Sequence, residues 1–146
     1  MSEKIHLTVG IVCVKDEKLL MVHEYINDRL VINQPAGHIE PGEGFKEAAL
    51  RETLEETGYR VRLESVLGFS ALAAPSGTVY HRASFLASVP DQIPSKEIDP
   101  DIDHISWMTP EEIEACDNHR SVLVKLDLDR YLSGVRYPLE MIAEKQ

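Results

Sequence analysis

A chain of 146 residues, 43% hydrophobic and 27% charged, has the balance of an ordinary globular protein, which disfavours repeat, disordered and multi-domain readings; residues 1–146 are expected to form one domain. Twenty-five acidic against fifteen basic residues leave a formal net charge of −10, which repels nucleic-acid duplexes and anionic membrane surfaces. The longest apolar stretches, Val9–Val14 and Ala71–Ala74, are far too short for a span, and Met1–His6 carries charge but no apolar signal core, so the cytoplasm is the expected compartment.

In chain order, Ile5–Val14 and Lys18–Tyr25 are β-rich runs separated by Lys15-Asp16-Glu17, the pattern of a hairpin. A third extended piece is expected at Val31–Asn33, and Pro41-Gly42-Glu43-Gly44 is expected to form a loop. Phe45–Thr57 predicts a helix stopped by Gly58, the usual residue just past a helix end. Arg60–Ala73 and Thr78–Val89 flank the turn signal Pro75-Ser76-Gly77 and predict a second hairpin. After an acidic, proline-containing loop comes a short strand, His104–Met108. A helix then starts at Thr109-Pro110-Glu111-Glu112, where Thr109 is the N-cap and Glu112 closes a capping box. Ser121–Leu132 has both strand-like alternation and helix-like ends, and helix is the preferred reading. Cys13 and Cys116 stand apart without a CxxC grouping and are expected to fill core as free thiols; Trp107 is likewise read as core.

The chemistry is concentrated in the first helix. At 100° per residue Glu52, Glu55 and Glu56 fall within an arc of roughly 100°, and like charges three and four apart cost a helix about 0.2–0.5 kcal/mol per pair. A positive group is expected among them. Ala48 and Ala49 are expected to leave room above the acidic face, while Leu50 and Leu54 dock on the sheet from the opposite side. A solvated acidic stripe is the plain alternative, and the flanking pattern overrides it. Gly37, five residues, Glu43, seven residues and then Arg51-Glu52-Thr53-Leu54-Glu55-Glu56-Thr57-Gly58-Tyr59 resembles the signature of the Nudix hydrolases, G-x5-E-x7-R-E-U-x-E-E-x-G-U with U a bulky apolar residue. Gly37, Glu43, Arg51, Glu52, Glu55, Glu56 and Gly58 occupy every charged and glycine position. The departures are Thr53 and Tyr59 at the U positions, and His38 where many members have a second glycine. Asn33-Gln34-Pro35-Ala36-Gly37-His38, Arg120-Ser121, Ser133-Gly134 and Arg136-Tyr137-Pro138-Leu139-Glu140-Met141-Ile142 further resemble the NudJ-type phosphatase branch of that family.

The resemblance implies an α/β/α sandwich around a mixed β-sheet. It also implies hydrolysis of phosphoanhydrides in nucleoside di- and triphosphates and small pyrophosphate monoesters, by water attack at a carboxylate-bound metal. Magnesium, with manganese as the alternative, would be held by Glu52, Glu55 and Glu56, with Glu52 and Glu56 primary; the cation is needed because a polyanionic substrate cannot otherwise enter so acidic a site. Glu55, Glu56 and Arg51 are expected to be catalytic. Arg51 is read as orienting the glutamates, with direct phosphate binding as the alternative. Glu43 either joins it or serves as a helix-start acid, and Gly37 is read as a backbone necessity. The general base comes from the box or from the later loop, where Glu97, Asp99, Asp101 and Asp103 are available and Asp101 and Asp103 are preferred. The expected partner is a small nucleotide or pyrophosphate substrate, the expected state a monomer or homodimer. The alternatives are an ADP-ribose or other nucleotide-sugar pyrophosphatase, for which Pro75, sixteen residues beyond Tyr59, resembles a marker, and a non-catalytic nucleotide sensor. An aromatic content of 6% predicts few stacking platforms and loose reading of the rest of the substrate.

Overall fold

The computed structural model describes residues 5–92, 94–95 and 97–144; the first four residues of the segment read above for a targeting signal lie outside them. Strand β1 (His6–Lys15) turns into β2 (Lys18–Ile26) through Asp16 and Glu17, and β2 turns into β3 (Arg29–Asn33) through Asn27 and Asp28. All four turn residues have positive φ, between 50° and 64°, the left-handed pair that matches the twist of a two-residue hairpin. Next comes β4 (Ala36–His38), where the sequence predicts no strand. Three residues including a glycine show no periodicity. They become a strand because Thr8, Val9 and Gly10 of β1 offer an open edge to His38, Gly37 and Ala36.

Helix α1 (Phe45–Thr57) has the predicted bounds, and Gly58 ends it at φ 78°, its N–H donating to the Leu54 carbonyl at 2.9 Å. Strands β5 (Arg62–Ala73) and β6 (Val79–Ser88) form the second hairpin, and β7 (Ile102–Met108) begins two residues earlier than its sequence pattern. Helix α2 (Pro110–Ala115) carries the complete Thr109–Glu112 capping box. Ser121 caps α3 (Val122–Ser133), which is a helix because Val124 and Leu128, one turn apart, are both buried. A single 3-10 turn, Leu139–Met141, follows.

The strand order is β3-β2-β1-β6-β5, with β4 paired to β1 and β7 to β2. β1 and β6 run parallel from His6↔Tyr80 to Val14↔Ser88, and the other pairings are antiparallel, so the sheet is mixed. Side chains alternate across it. Val9, Ile11 and Cys13 of β1 pack with Ala48 and Ala49 of α1, whereas Val12 packs with Ile113 of α2 and Val124 and Leu128 of α3. Helices therefore cover both faces, the α/β/α arrangement expected. Cys13 is buried, Cys116 half-buried, and both are free; Trp107 packs against the core with its ring edge-on to Tyr59.

The docking face of α1 is the reverse of the expected one. Ala48, Ala49, Thr53 and Thr57 are buried, while Leu50 is 41% exposed and Leu54 is only half-buried. The small side chains let the helix lie close to the strands, which two leucines in the interface would prevent. The hydroxyls of Thr53 and Thr57 are absorbed within the helix, donating to the carbonyls of Ala49 at 2.7 Å and Thr53 at 2.6 Å. Close docking brings the neighbouring glutamates down onto β4.

Candidate active site

Arg51 supplies the positive group that three crowded carboxylates require. Its Nε and Nη2 donate to the two carboxylate oxygens of Glu43 at 2.6 and 2.9 Å, a bidentate pair. Its Nη1 donates to Glu52 at 2.9 Å and Glu55 at 3.2 Å, and Nη2 also reaches the His38 carbonyl at 3.0 Å. One guanidinium thus ties the loop before α1, the acidic face of α1 and strand β4 together. The hydrogen bond from Arg51 holds the Glu43 carboxyl below the usual carboxylate range, and the Arg51 pKa is raised in return. Glu43 also accepts from the Glu40 N–H at 3.1 Å, so it closes its own loop as well as gripping the arginine.

Glu56 is built differently. Its carboxylate accepts a hydrogen bond from the backbone N–H of Ala36 at 2.8 Å, and burial, together with the neighbouring carboxylates of Glu52, Glu24 and Asp99, pushes it up to about 8. Burial also raises Glu52, against the opposing pull of Arg51. Gly37 faces that carboxylate closely: a Cβ at Gly37 would collide with the Glu52 carboxyl carbon and its oxygens. A side chain at this position would push the Glu52 carboxylate out of its present place beside Arg51.

Glu56, Gly37 and His38 open onto a cavity of about 550 Å³. Its walls are chemically unlike. Glu24, Asn33, Arg82 and Arg120 bring charge and polarity, whereas Leu72, Ala73, Pro75 and Tyr80 are apolar or aromatic. The buried Nε of Arg82 and Oδ1 of Asn33 have no hydrogen-bond partner among the described residues, so two lining side chains retain polar capacity. Arg82 itself is fixed from behind by Asp127 of α3 at 3.0 Å. Burial lowers its pKa, opposed chiefly by Asp127.

The acidic loop is sorted by the fold. The backbone N–H of Asp99 donates to the Glu55 carbonyl at 2.7 Å, and its carboxylate is among the charges that raise both Glu56 and Glu24. Asp101 acts on Glu24 alone of these two, and Asp103 turns away to meet His104 Nδ1 at 2.7 Å. Of the preferred pair, then, Asp103 is drawn off to β7, and Asp99, which the sequence did not favour, lies nearer the box. The loop lacks any periodicity from which that could be read. Glu24 was also missed: half-buried, raised chiefly by burial and 3.9 Å from Arg120, it had only one signal, a lone acid late in an apolar strand.

All three box carboxylates are hard oxygen donors on one helix face, and Glu56 is half-buried with other acids close enough to raise it, a donor set that fits a divalent cation. Among the described residues no three acidic, histidine or cysteine side chains are already gathered as a metal cluster. Glu52 and Glu55 are turned to Arg51, and Glu56 to Ala36.

Residues 4–126 match the NUDIX domain family model. The chain belongs to the Nudix family. Over 141 residues it is 40% identical to the phosphatase NudJ of Escherichia coli strain K12, covering 97% of this chain and 92% of that protein. A NUDIX hydrolase from Nitrosomonas europaea superposes with a TM-score of 0.92 at 36% identity, over 97% of this chain and 98% of the other. An Ap4A hydrolase from C. elegans, 18% identical, shares the fold with a TM-score of 0.70 over 90% of this chain and 100% of its own. This Nudix protein is an enzyme, a hydrolase similar to NudJ phosphatases along most of its length. No helix among its described residues is long and apolar enough to cross a membrane.

Proposed function

We propose that residues 1–146 act as one catalytic domain, a magnesium-dependent hydrolase that releases orthophosphate from nucleoside di- and triphosphates and from small pyrophosphate monoesters. The observation that carries this reading is the placement of Glu56, a half-buried acid whose pKa is raised, in the lining of a cavity that also contains basic and apolar side chains. Glu52, Glu55 and Glu56 would hold the cation, and manganese is the natural substitute. When bound, such a cation neutralises phosphate oxygens and lowers the pKa of water at the site.

The chain's own residues do the rest. Arg51 donates to Glu52, Glu55 and Glu43, which offsets the repulsion among these carboxylates and ties them to the loop before α1 while no cation is bound. Arg82 and Arg120 supply positive potential in the cavity lining, Arg120 beside Glu24 and Arg82 within reach of the Glu56 charge, which an otherwise strongly acidic protein needs to admit a polyanion. Glu56 would give up the proton that burial favours when it takes up the cation, and Asp99 and Asp101 are acids of the neighbouring loop, both among the charges that raise Glu24.

Phosphorus NMR of a reaction with ATP and magnesium tests the proposal. Orthophosphate as the first product is expected, and dominant pyrophosphate release would contradict it. A second reading, hydrolysis of ADP-ribose to AMP and ribose phosphate, is favoured by one observation, the presence of Pro75 in the cavity wall. Strong preference for ADP-ribose in the same assay would promote it. Metal binding without turnover of any phosphoanhydride would indicate a sensor.

A further inference from the structure

The low aromatic content predicts few stacking platforms, yet the fold collects three rings from three strands at the cavity. Tyr80 comes from β6 and His38 from β4, and both line the cavity. His6 of β1 stands behind them, because β1 pairs with β4 on one edge and with β6 on the other, where His6 lies directly opposite Tyr80. The two lining rings are 6.1 Å apart between centroids and inclined at 64°, an edge-to-face pair that forms an aromatic corner in the cavity lining. His6 holds both: its centroid is 5.0 Å from Tyr80, and its Nδ1 lies 3.2 Å from His38 Nε2, a hydrogen bond that fixes the imidazole plane.

A planar ring stacked on one wall of such a corner presents its edge to the other, the two arrangements aromatic pairs prefer. Leu72, the cross-strand neighbour of Tyr80, and Pro75 lie in the same cavity and extend its apolar surface beside the rings. Glu56 lies in that cavity too, so a ligand with phosphates at one end and a flat ring at the other matches the distribution of side chains. We propose that Tyr80 and His38 form the subsite for the planar heteroaromatic ring of the substrate, with His6 as the residue that positions His38.

The assignment rests on the phosphoanhydride reading of the cavity but is separable from it. A ring platform tolerates any base because every base has a π-face, so the subsite sets affinity rather than base identity. Two sources share this chemistry, a nucleobase and the aminopyrimidine of a small pyrophosphate monoester, and each is tested in its own arm.

Tyr80→Leu, Tyr80→Phe and His38→Leu are compared with the unaltered enzyme on ATP, on an aminopyrimidinylmethyl pyrophosphate and on inorganic tripolyphosphate, which has no ring. Tyr80→Leu is expected to raise KM for a ring-bearing substrate roughly tenfold. It should leave kcat and the tripolyphosphate parameters near their starting values, and Tyr80→Phe should behave as the unaltered enzyme. A penalty on either ring-bearing substrate supports the subsite and names its source. Equal losses on tripolyphosphate, or no change on either ring-bearing substrate, overturn it. A separate titration with adenosine and with ribose follows the imidazole signals of His6 and His38 by NMR. Shifts with adenosine and none with ribose support the subsite even if no substrate is turned over, which would sink the hydrolase reading alone. Adenosine without effect on those signals overturns the ring subsite.

Discussion

Two helices on opposite faces of the sheet each draw a carboxylate out of solvent, Asp127 fully and Glu56 in part, and the two acids have different surroundings. Asp127 of α3, fully buried, has the Arg82 guanidinium at 3.0 Å and the Ser84 hydroxyl donating at 2.9 Å. Glu56 of α1 is given a single backbone N–H at 2.8 Å and is crowded by other acids. A buried charge that is paired and hydrogen-bonded is a structural element, whereas one left among like charges raises its pKa and is free to bind something else. Identical chemistry at the level of residue type becomes scaffold in one helix and candidate site in the other.

The largest expected effect comes from breaking the buried Asp127–Arg82 pair, in which Arg82 Nη2 meets Asp127 Oδ2 while Arg82 Nε and Asp127 Oδ1 have no hydrogen-bond partner among the described residues. Asp127→Asn leaves Arg82 buried without its counter-ion, and a loss on the order of 3–5 kcal/mol in unfolding free energy is expected, read from urea denaturation. A change below about 1 kcal/mol would show that the pair does not carry the weight assigned to it.

Glu56→Gln should do the opposite. It keeps shape but removes one charge from the acidic face, so turnover should fall by about two orders of magnitude while the fold survives. The pH dependence gives an independent reading. Glu56 is raised from 4.5 to about 8, so between those values the folded metal-free protein keeps a proton that the unfolded chain has lost. The native state then binds more protons, and stability falls as pH rises across that window; Glu52, raised by the same burial, adds the same sign. Melting temperatures of metal-free protein from pH 5 to 8 should decline by several degrees, roughly, and Glu56→Gln should flatten the curve. A rising curve would contradict the uncompensated burial of Glu56.

Arg51→Lys retains charge but cannot make the fork that grips Glu43 while reaching Glu52 and Glu55. Steady-state assays should show activity reduced roughly ten- to a hundredfold, the usual scale for a residue that orients ligands. The smallest effect is expected at Glu114, whose carboxylate meets Lys125 at 3.0 Å on the surface. Glu114→Gln should leave turnover unchanged and stability within about 0.5 kcal/mol. If it cost as much activity as Glu56→Gln, acidity rather than position would be what matters.

Several features could be read directly from the residues because their causes are local. The bounds of α1 follow from a loop glycine before Phe45 and the left-handed Gly58 after Thr57, and the Thr109–Glu112 capping box is a four-residue pattern. The motif likewise places Arg51, Glu52, Glu55 and Glu56 in one acidic array because helical spacing fixes their relative directions. Tertiary structure decided what those directions face. Leu50 and Leu54 are the obvious apolar pair, yet Ala48, Ala49, Thr53 and Thr57 make the contact, since the choice depends on how close the strands permit the helix to come. Strand β4, the approach of Asp99 rather than Asp103 to the box, the pairing of Arg82 with Asp127 and the corner of Tyr80 and His38 all join segments distant along the chain. Such meetings depend on the register of one element against another, set by the packing of the whole core, and no spacing within a single segment encodes them.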